Sequence, residues 1–306
     1  MQRLSKKALK RCLVLLVLIL ALLLSLITFS EDSKIPGWKE IGHQLGVTTQ
    51  DAVSDDFVRF IDVGQGDSIL ISSNGHNAMI DFGNNADNGR ELASKLKEYS
   101  ISSFDCLFIT HYDSDHIGGA DTVLDRFDVE NVILPTTSGE KSSAYRQVET
   151  SLETTDANII NASTGKLIKI GDFNLEIVGY YKNEEESNDR SLVIFAEIDG
   201  IKFLFSGDIG TKIENKLMSQ KKNIDCDVYK ASHHGSKSAN SYKFLKYITP
   251  EYTVISCGAG NSYGHPHEEV VSSLEKVDSE IYRTDEDGDV TFYINDKKLF
   301  IETEIK

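Results

Sequence analysis

Thr110-His111-Tyr112-Asp113-Ser114-Asp115-His116-Ile117-Gly118-Gly119 follows directly on the apolar run from Phe104 to Ile109. Four candidate ligands, His111, Asp113, Asp115 and His116, fall within six residues. A loop leaving a buried strand turns alternate side chains inward. His111 with Asp113 can then serve one cation, and Asp115 with His116 a second. Imidazole and carboxylate together suit zinc, manganese or iron. A polar loop capping a helix through Asp115 or His116 is the plain alternative. That alternative does not explain the clustering: six of the eight histidines, His111, His116, His233, His234, His265 and His267, occupy three short segments.

Outward from this motif, two further strands end in polar loops. Phe203-Leu204-Phe205-Ser206-Gly207-Asp208 closes an apolar run with a carboxylate, which in company with the histidines reads as a bridge between two cations. Val228-Tyr229-Lys230-Ala231-Ser232-His233-His234-Gly235-Ser236 brings two adjacent imidazoles, one expected to bind metal and the other to contact substrate or support a ligand. Tyr263-Gly264-His265-Pro266 offers a fifth imidazole, or simply a rigid loop before a helix. The glycine-bounded Gly64-Gln65-Gly66-Asp67 is either a tight turn or a device that positions water or substrate through Gln65 and Asp67.

Around these loops the chain alternates short β-rich runs with amphipathic stretches. Strands are expected at 57–63, 67–73, 77–82, 104–110, 130–134, 173–180, 191–198, 201–206, 226–231, 252–256, 280–283, 289–294 and 298–303. Residues 88–99 place Leu92, Leu96 and Tyr99 on one helical face, and 267–277 do the same with Val270, Val271 and Leu274. The pattern predicts a layered α/β domain, two sheets packed face to face with helices on both outsides.

The motifs together resemble the metallo-β-lactamase superfamily, and within it the hydrolase domain of the ComEC-type competence proteins. The resemblance runs over about residues 57–295 and rests on Ile61-Asp62-Val63-Gly64-Gln65-Gly66-Asp67-Ser68, Ile80-Asp81-Phe82-Gly83, the 110–119 motif, Ser206-Gly207-Asp208, residues 232–236, residues 263–266 and Arg283-Thr284-Asp285. It implies an αββα sandwich with a metal site at one edge between the sheets. It carries metal-binding roles onto His111, Asp115, His116 and Asp208, and a supporting role behind the metal loop onto Asp81; in the adjacent pair it slightly favours His233 over His234 as ligand.

Two departures from the superfamily pattern concern the first metal. Asp113 stands where the superfamily places a histidine, as it does in the competence-type branch, and the harder ligand set shifts preference from zinc towards manganese. No histidine lies between His116 and His233. Asn188, Asp189 and Ser191 are the candidates to replace the missing ligand, or to orient ligands and substrate.

The chemistry expected of such a site is hydrolysis by two divalent cations, Zn2+ or Mn2+, which acidify a shared water and clamp the developing oxyanion. Asp115 is read as ligand and catalytic carboxylate together, with His265 or His234 protonating the leaving oxygen. The resemblance points to a phosphodiester substrate, DNA in the competence-type branch. A cell-envelope ester such as phosphorylcholine on teichoic acid, and a non-catalytic module binding metal or polymer, are the rival readings.

Net charge and the N-terminus bear on where such a domain works. The formal charge is −16, which argues against a basic groove for duplex DNA. Residues 1–11 are basic and acid-free, and 12–29 form an almost unbroken Leu/Val/Ile run. Eighteen residues at 1.5 Å each span about 27 Å, close to a hydrocarbon core. The expected order is a cytoplasmic tail (1–11), a transmembrane anchor or signal segment (12–29), a linker (30–55) and an extracellular hydrolase domain (56–306), by the positive-inside rule. A cleaved, secreted form is the alternative. Cys12, Cys106, Cys226 and Cys257 match no metal or redox spacing, and Cys106 and Cys226 sit in strand-like runs as small hydrophobes.

Overall fold

The computed structural model describes residues 56–84, 89–136 and 143–305. The expected anchor and linker, residues 12–55, lie outside the described residues. Among the described residues no helix is long and apolar enough to cross a membrane. The chain divides into units Met1–Val53 and Ser54–Lys306, and the second carries everything that follows.

Among the described residues, fifteen strands form two sheets. In chain order they are β1 (Phe57–Phe60), β2 (Ile69–Ser73), β3 (His76–Ile80), β4 (Ser103–Phe108), β5 (Asp128–Leu134), β6 (Asn158–Asn161), β7 (Leu167–Ile170), β8 (Phe173–Gly179), β9 (Val193–Ile198), β10 (Ile201–Phe205), β11 (Val228–Lys230), β12 (Tyr252–Ile255), β13 (Glu280–Arg283), β14 (Val290–Asn295) and β15 (Lys298–Thr303). One sheet runs β15-β14-β1-β2-β3-β4-β5-β6 and the other β13-β12-β11-β10-β9-β8-β7.

Side chains alternate along a strand, so a strand covered on both faces must be apolar at every position. In β2, Ile69 and Ile71 face the core between the sheets while Leu70 joins the outer core. In β10, Phe203 and Phe205 point inward and Leu204 outward. The outer face of the first sheet is covered by α1 (Arg90–Glu98), α2 (Ser114–Ile117), α3 (Ala120–Arg126) and α4 (Ser143–Thr154), through Leu92, Leu96, Val123 and Val148 among others. The second sheet is covered by α5 (Thr211–Ser219), α6 (Tyr242–Ile248) and α7 (Glu268–Glu275), through Ile213, Leu217, Phe244 and Leu274. A short α8 (Thr284–Asp287) follows β13. The result is the αββα sandwich that the sequence led us to expect.

Leu92 and Leu96 are buried in α1 as the helical spacing predicts, and Val270 and Leu274 in α7. Two strands were not expected. β6 reads Asn-Ile-Ile-Asn at the edge of its sheet, too short and too polar at its ends to announce itself. β7, Leu-Ile-Lys-Ile, closes the other sheet and exposes Leu167.

Cys106, Cys226 and Cys257 are buried free thiols, so no disulfide forms among the described residues. Cys226 packs in the outer core under α5 and α6, remote in its contacts from the histidine loops. Cys226→Ser is expected to leave turnover near normal while lowering stability by about 1–3 kcal/mol, the cost of burying an unpaired hydroxyl. Initial rates beside a urea titration check both halves.

Candidate metal centre

Strands β3 to β6 run parallel, as do β10 to β13, and the polar motifs all sit at the edge where these strands end. Crevices at the carboxyl ends of parallel strands are where α/β folds assemble sites. Asp81 follows β3, His111 to His116 follow β4, Asp208 follows β10, and His233 and His234 follow β11. The turn before β2 brings Asp67 to the same edge. Gly66 permits this approach: at φ 144°, a Cβ there would lie 2.3 Å from the Asp115 carbonyl oxygen, and the next residue donates from Asp67 N to that carbonyl at 3.1 Å.

Asp208 Oδ2 is the focus of the site. The Nε2 atoms of His116, His234, His233 and His111 stand 3.3, 3.4, 3.8 and 4.0 Å from it. Asp115 Oδ2 lies 3.3 Å from His234 Nε2. His111, His116 and Asp208 form one group whose ligand atoms lie within 4.8 Å of one another; Asp115, His116 and His234 form a second, Asp67, Asp208 and His234 a third, and Asp67, Asp81 and His116 a fourth. Ligands about 2.0–2.2 Å from a shared cation are separated by roughly twice that at most, which the 3.3 to 4.0 Å separations of His116, His234 and His111 from Asp208 satisfy. The buried Nε2 atoms of His111, His116 and His234, with Asp208 Oδ1, have no hydrogen-bond partner. A buried imidazole nitrogen without a partner is costly, and a cation satisfies it.

Each imidazole is held from behind, which fixes the free nitrogen towards the centre. His116 Nδ1 is 2.7 Å from Asp81 Oδ2. Asp81 also accepts from Thr110 N at 2.8 Å and Thr110 Oγ1 at 2.6 Å, tying the strand end to the loop. His234 Nδ1 meets the Ser256 carbonyl at 2.9 Å. His111 Nδ1 lies 3.1 Å from Thr110 Oγ1 and 3.3 Å from Ser191 Oγ. Ser191 Oγ in turn accepts from Asp208 N at 3.1 Å.

The adjacent pair His233-His234 has left-handed backbone at both positions, φ 51° and 53°. Non-glycine residues pay about 1–3 kcal/mol for such geometry, and it concentrates at functional sites. The sequence favoured His233 as ligand; the structure puts His234 into the ligand groups and leaves His233 outside them. His233 is 28 % exposed in its side chain, and its Nε2 lies 3.3 Å from Asn188 Nδ2. Asp113 reaches only to 3.7 Å from His111 Nε2 and is 43 % exposed. Asp189 is engaged elsewhere, accepting from Gly210 N at 2.9 Å. Gln65 Oε1 accepts from Gly258 N at 3.2 Å. His265 sits at the rim, its ring 5.7 Å from that of His233 and 6.2 Å from that of His234.

Burial would raise the Asp208 carboxyl, but His234 and His116 overcome it and hold the group well below the usual carboxylate range. Burial works against charge on His116 and His234 as well, yet Asp208, with Asp81 or Asp67, keeps both well above the usual imidazole value. Protons on these two rings therefore supply positive charge that divalent cations would otherwise bring. His265 is pushed down to about 4 by burial and by its histidine neighbours.

Sequence reading missed Lys230. It is fully buried, ion-paired to Asp67 Oδ2, and 3.8 Å from Asp208 Oδ1. Asp67 Oδ1 lies 3.3 Å from His234 Nδ1. Asp67 thus faces the back of the histidines and not the solvent, and burial's upward push on its carboxyl is reversed chiefly by Lys230. The signal was available: a lysine at the inward register of Val228, in a strand otherwise apolar.

Residues 61–259 match the metallo-β-lactamase superfamily, a span containing every member of the four ligand groups. The chain belongs to that superfamily. ComE operon protein 3 of Bacillus subtilis is 28 % identical over 257 residues, covering 78 % of this chain and 33 % of that protein. Competence protein ComA of Neisseria gonorrhoeae is 28 % identical over 234 residues, 76 % of this chain and 31 % of that protein. Recombination protein 2 of Haemophilus influenzae is 27 % identical over 236 residues, 75 % of this chain and 28 % of that protein. The chain thus spans about a third of the length of these relatives.

Among solved structures, CmlA, a diiron β-hydroxylase from Streptomyces venezuelae, aligns with TM-score 0.55 at 10 % identity over 84 % of this chain and 60 % of that one. Igni18, a metallo hydrolase from Ignicoccus hospitalis, aligns with TM-score 0.52 at 15 % identity over 78 % of this chain and all of that one. These likenesses concern the metallo-β-lactamase fold alone. A fold that hosts both a hydroxylase and a hydrolase leaves the reaction to the site.

Proposed function

We propose that the chain is a metal-dependent phosphodiesterase that cleaves DNA outside the cell, anchored in the membrane by its N-terminal segment. The observation that carries the reading is the convergence of partnerless imidazole nitrogens on Asp208 Oδ2. The names of the relatives, competence and recombination proteins, direct the choice of substrate towards DNA.

Asp115, His116, His234 and Asp208 would hold one divalent cation, Mn2+ or Zn2+, and His111, Asp113 and Asp208 a second. Such cations supply Lewis acidity at the scissile phosphate and an acidified water. The protein's own contribution is to fix the ligand rings through Asp81, Thr110, Ser191 and the Ser256 carbonyl, so that no reorganisation is needed at reaction. Of His265 and His234, the two imidazoles read from the sequence as partners of the leaving oxygen, His265 remains once His234 joins the ligand set. Being neutral near pH 7, it offers an N–H hydrogen bond and no stored proton. Ser191 and Asn188 orient His111 and His233, and Gln65 braces the loop after β12.

The test uses purified chain stripped by chelator and reloaded separately with Mn2+ and Zn2+, against single-stranded DNA, duplex DNA and a phosphorylcholine ester. Metal-dependent DNA cleavage, lost in His111→Ala, is the expected result. Cleavage of the small ester alone would move the function to the cell envelope. Bound metal without turnover on any of the three would make the domain a binding module.

A further inference from the structure

Tyr263 lies on the loop after β12 and is 64 % exposed. One face of its ring stacks on His265, with centroids 5.6 Å apart and planes 20° from parallel. At that exposure most of the residue meets solvent, and its hydroxyl makes no hydrogen bond among the described residues. His265 itself is nine-tenths buried and its Nδ1 has no partner. The loop is braced around these two rings by one side chain. Asn261 Nδ2 donates to the carbonyls of Gly258 at 3.0 Å and His265 at 2.6 Å, and Asn261 Oδ1 accepts from Tyr263 N at 3.2 Å and His265 N at 3.0 Å. An exposed aromatic ring is therefore held flat and backed by a second ring, two ring contacts from His234.

We propose that Tyr263, backed by His265, is a stacking platform for an unpaired nucleobase flanking the scissile phosphate. The inference rests on the phosphodiesterase reading above and names its substrate as single-stranded. Charge supports it. At a formal −16 the chain as a whole repels a polyanion, which favours contacts indifferent to phosphate charge. Base stacking on an aromatic side chain is such a contact, contributing about 1–3 kcal/mol per base and tolerating any sequence. A base buried in a duplex stack has no free face to offer. A quaternary ammonium group is the poorer fit, because its recognition uses a cage of several aromatic faces, and this site presents a single plane.

Two measurements on the full chain test the platform. With metal restored, Tyr263→Ala should raise KM for a single-stranded oligonucleotide by about tenfold, the lower half of that stacking range. The same variant should leave KM unchanged for a strand of equal length built from abasic sugars, and Tyr263→Trp should preserve the wild-type value on both. Without metal, an oligonucleotide carrying 2-aminopurine should lose fluorescence on binding wild type and Tyr263→Trp, but not Tyr263→Ala. Equal effects of Tyr263→Ala on base-bearing and abasic strands, or identical quenching by wild type and Tyr263→Ala, would overturn the platform while leaving the phosphodiesterase reading in place. Quenching by wild type without cleavage of any strand would do the reverse.

Discussion

Asp208→Ala is expected to abolish metal-dependent turnover and to leave less than one equivalent of tightly bound cation per chain. The carboxylate is the one group to which the orphaned nitrogens of His111, His116 and His234 all point, at 3.3 to 4.0 Å. Losing a residue that merely supports a ligand costs about 10–100-fold in metal affinity or activity. Removing the group shared by the ligand sets should therefore cost more than a hundredfold. Asp208→Asn separates charge from shape, since it keeps the side-chain volume behind Gly207 and surrenders only the carboxylate. It should lose metal nearly as fully as the alanine variant. Metal content by mass spectrometry, beside the rate on the preferred substrate, reads both. A variant that retained two equivalents of metal and wild-type turnover would move the site elsewhere in the molecule.

The parts of this centre that were legible in the sequence are those that combine a recognisable residue type with a strand end. His111, Asp115, His116 and Asp208 each follow an apolar run, and the fold brings them within a few ångströms because those runs, β4 in one sheet and β10 in the other, end at one edge of the two packed sheets. The sandwich was legible for the same reason: β2 and β10 are apolar at both registers, which demands cover on both faces. The choice between His233 and His234 was not legible. Two adjacent histidines differ only in where left-handed backbone aims them, and φ is not written in residue type. The edge strands β6 and β7 were missed because a strand with one neighbour and one wet face needs little apolar sequence to form. Asp67 was visible as a turn residue, but its inward direction depends on Gly66 and on a partner more than 160 residues away along the chain.

That partner sets the second large effect. Lys230→Met is expected to destabilise the metal-free protein by about 3–5 kcal/mol, the usual cost of removing one member of a buried pair. Lys230 is fully buried and its ammonium serves two carboxylates, Asp67 and Asp208 Oδ1, and also donates to the Gly207 carbonyl at 3.3 Å. Methionine fills much the same volume, so the loss is one of charge and not of packing. Asp67, Asp81 and Asp208 would then share only the protons on His116 and His234 to balance them. Divalent cations should take over part of the missing charge, so added Mn2+ or Zn2+ ought to raise the stability of Lys230→Met more than that of wild type. Pairing the change with Asp67→Asn removes a carboxylate along with its cation and should recover part of the loss, a coupling that two distant sites would not show. Urea midpoints with and without chelator for the two single variants and the double variant measure each term. Additive losses, or a Lys230→Met protein as stable as wild type without metal, would mean that the lysine does not balance charge behind the centre.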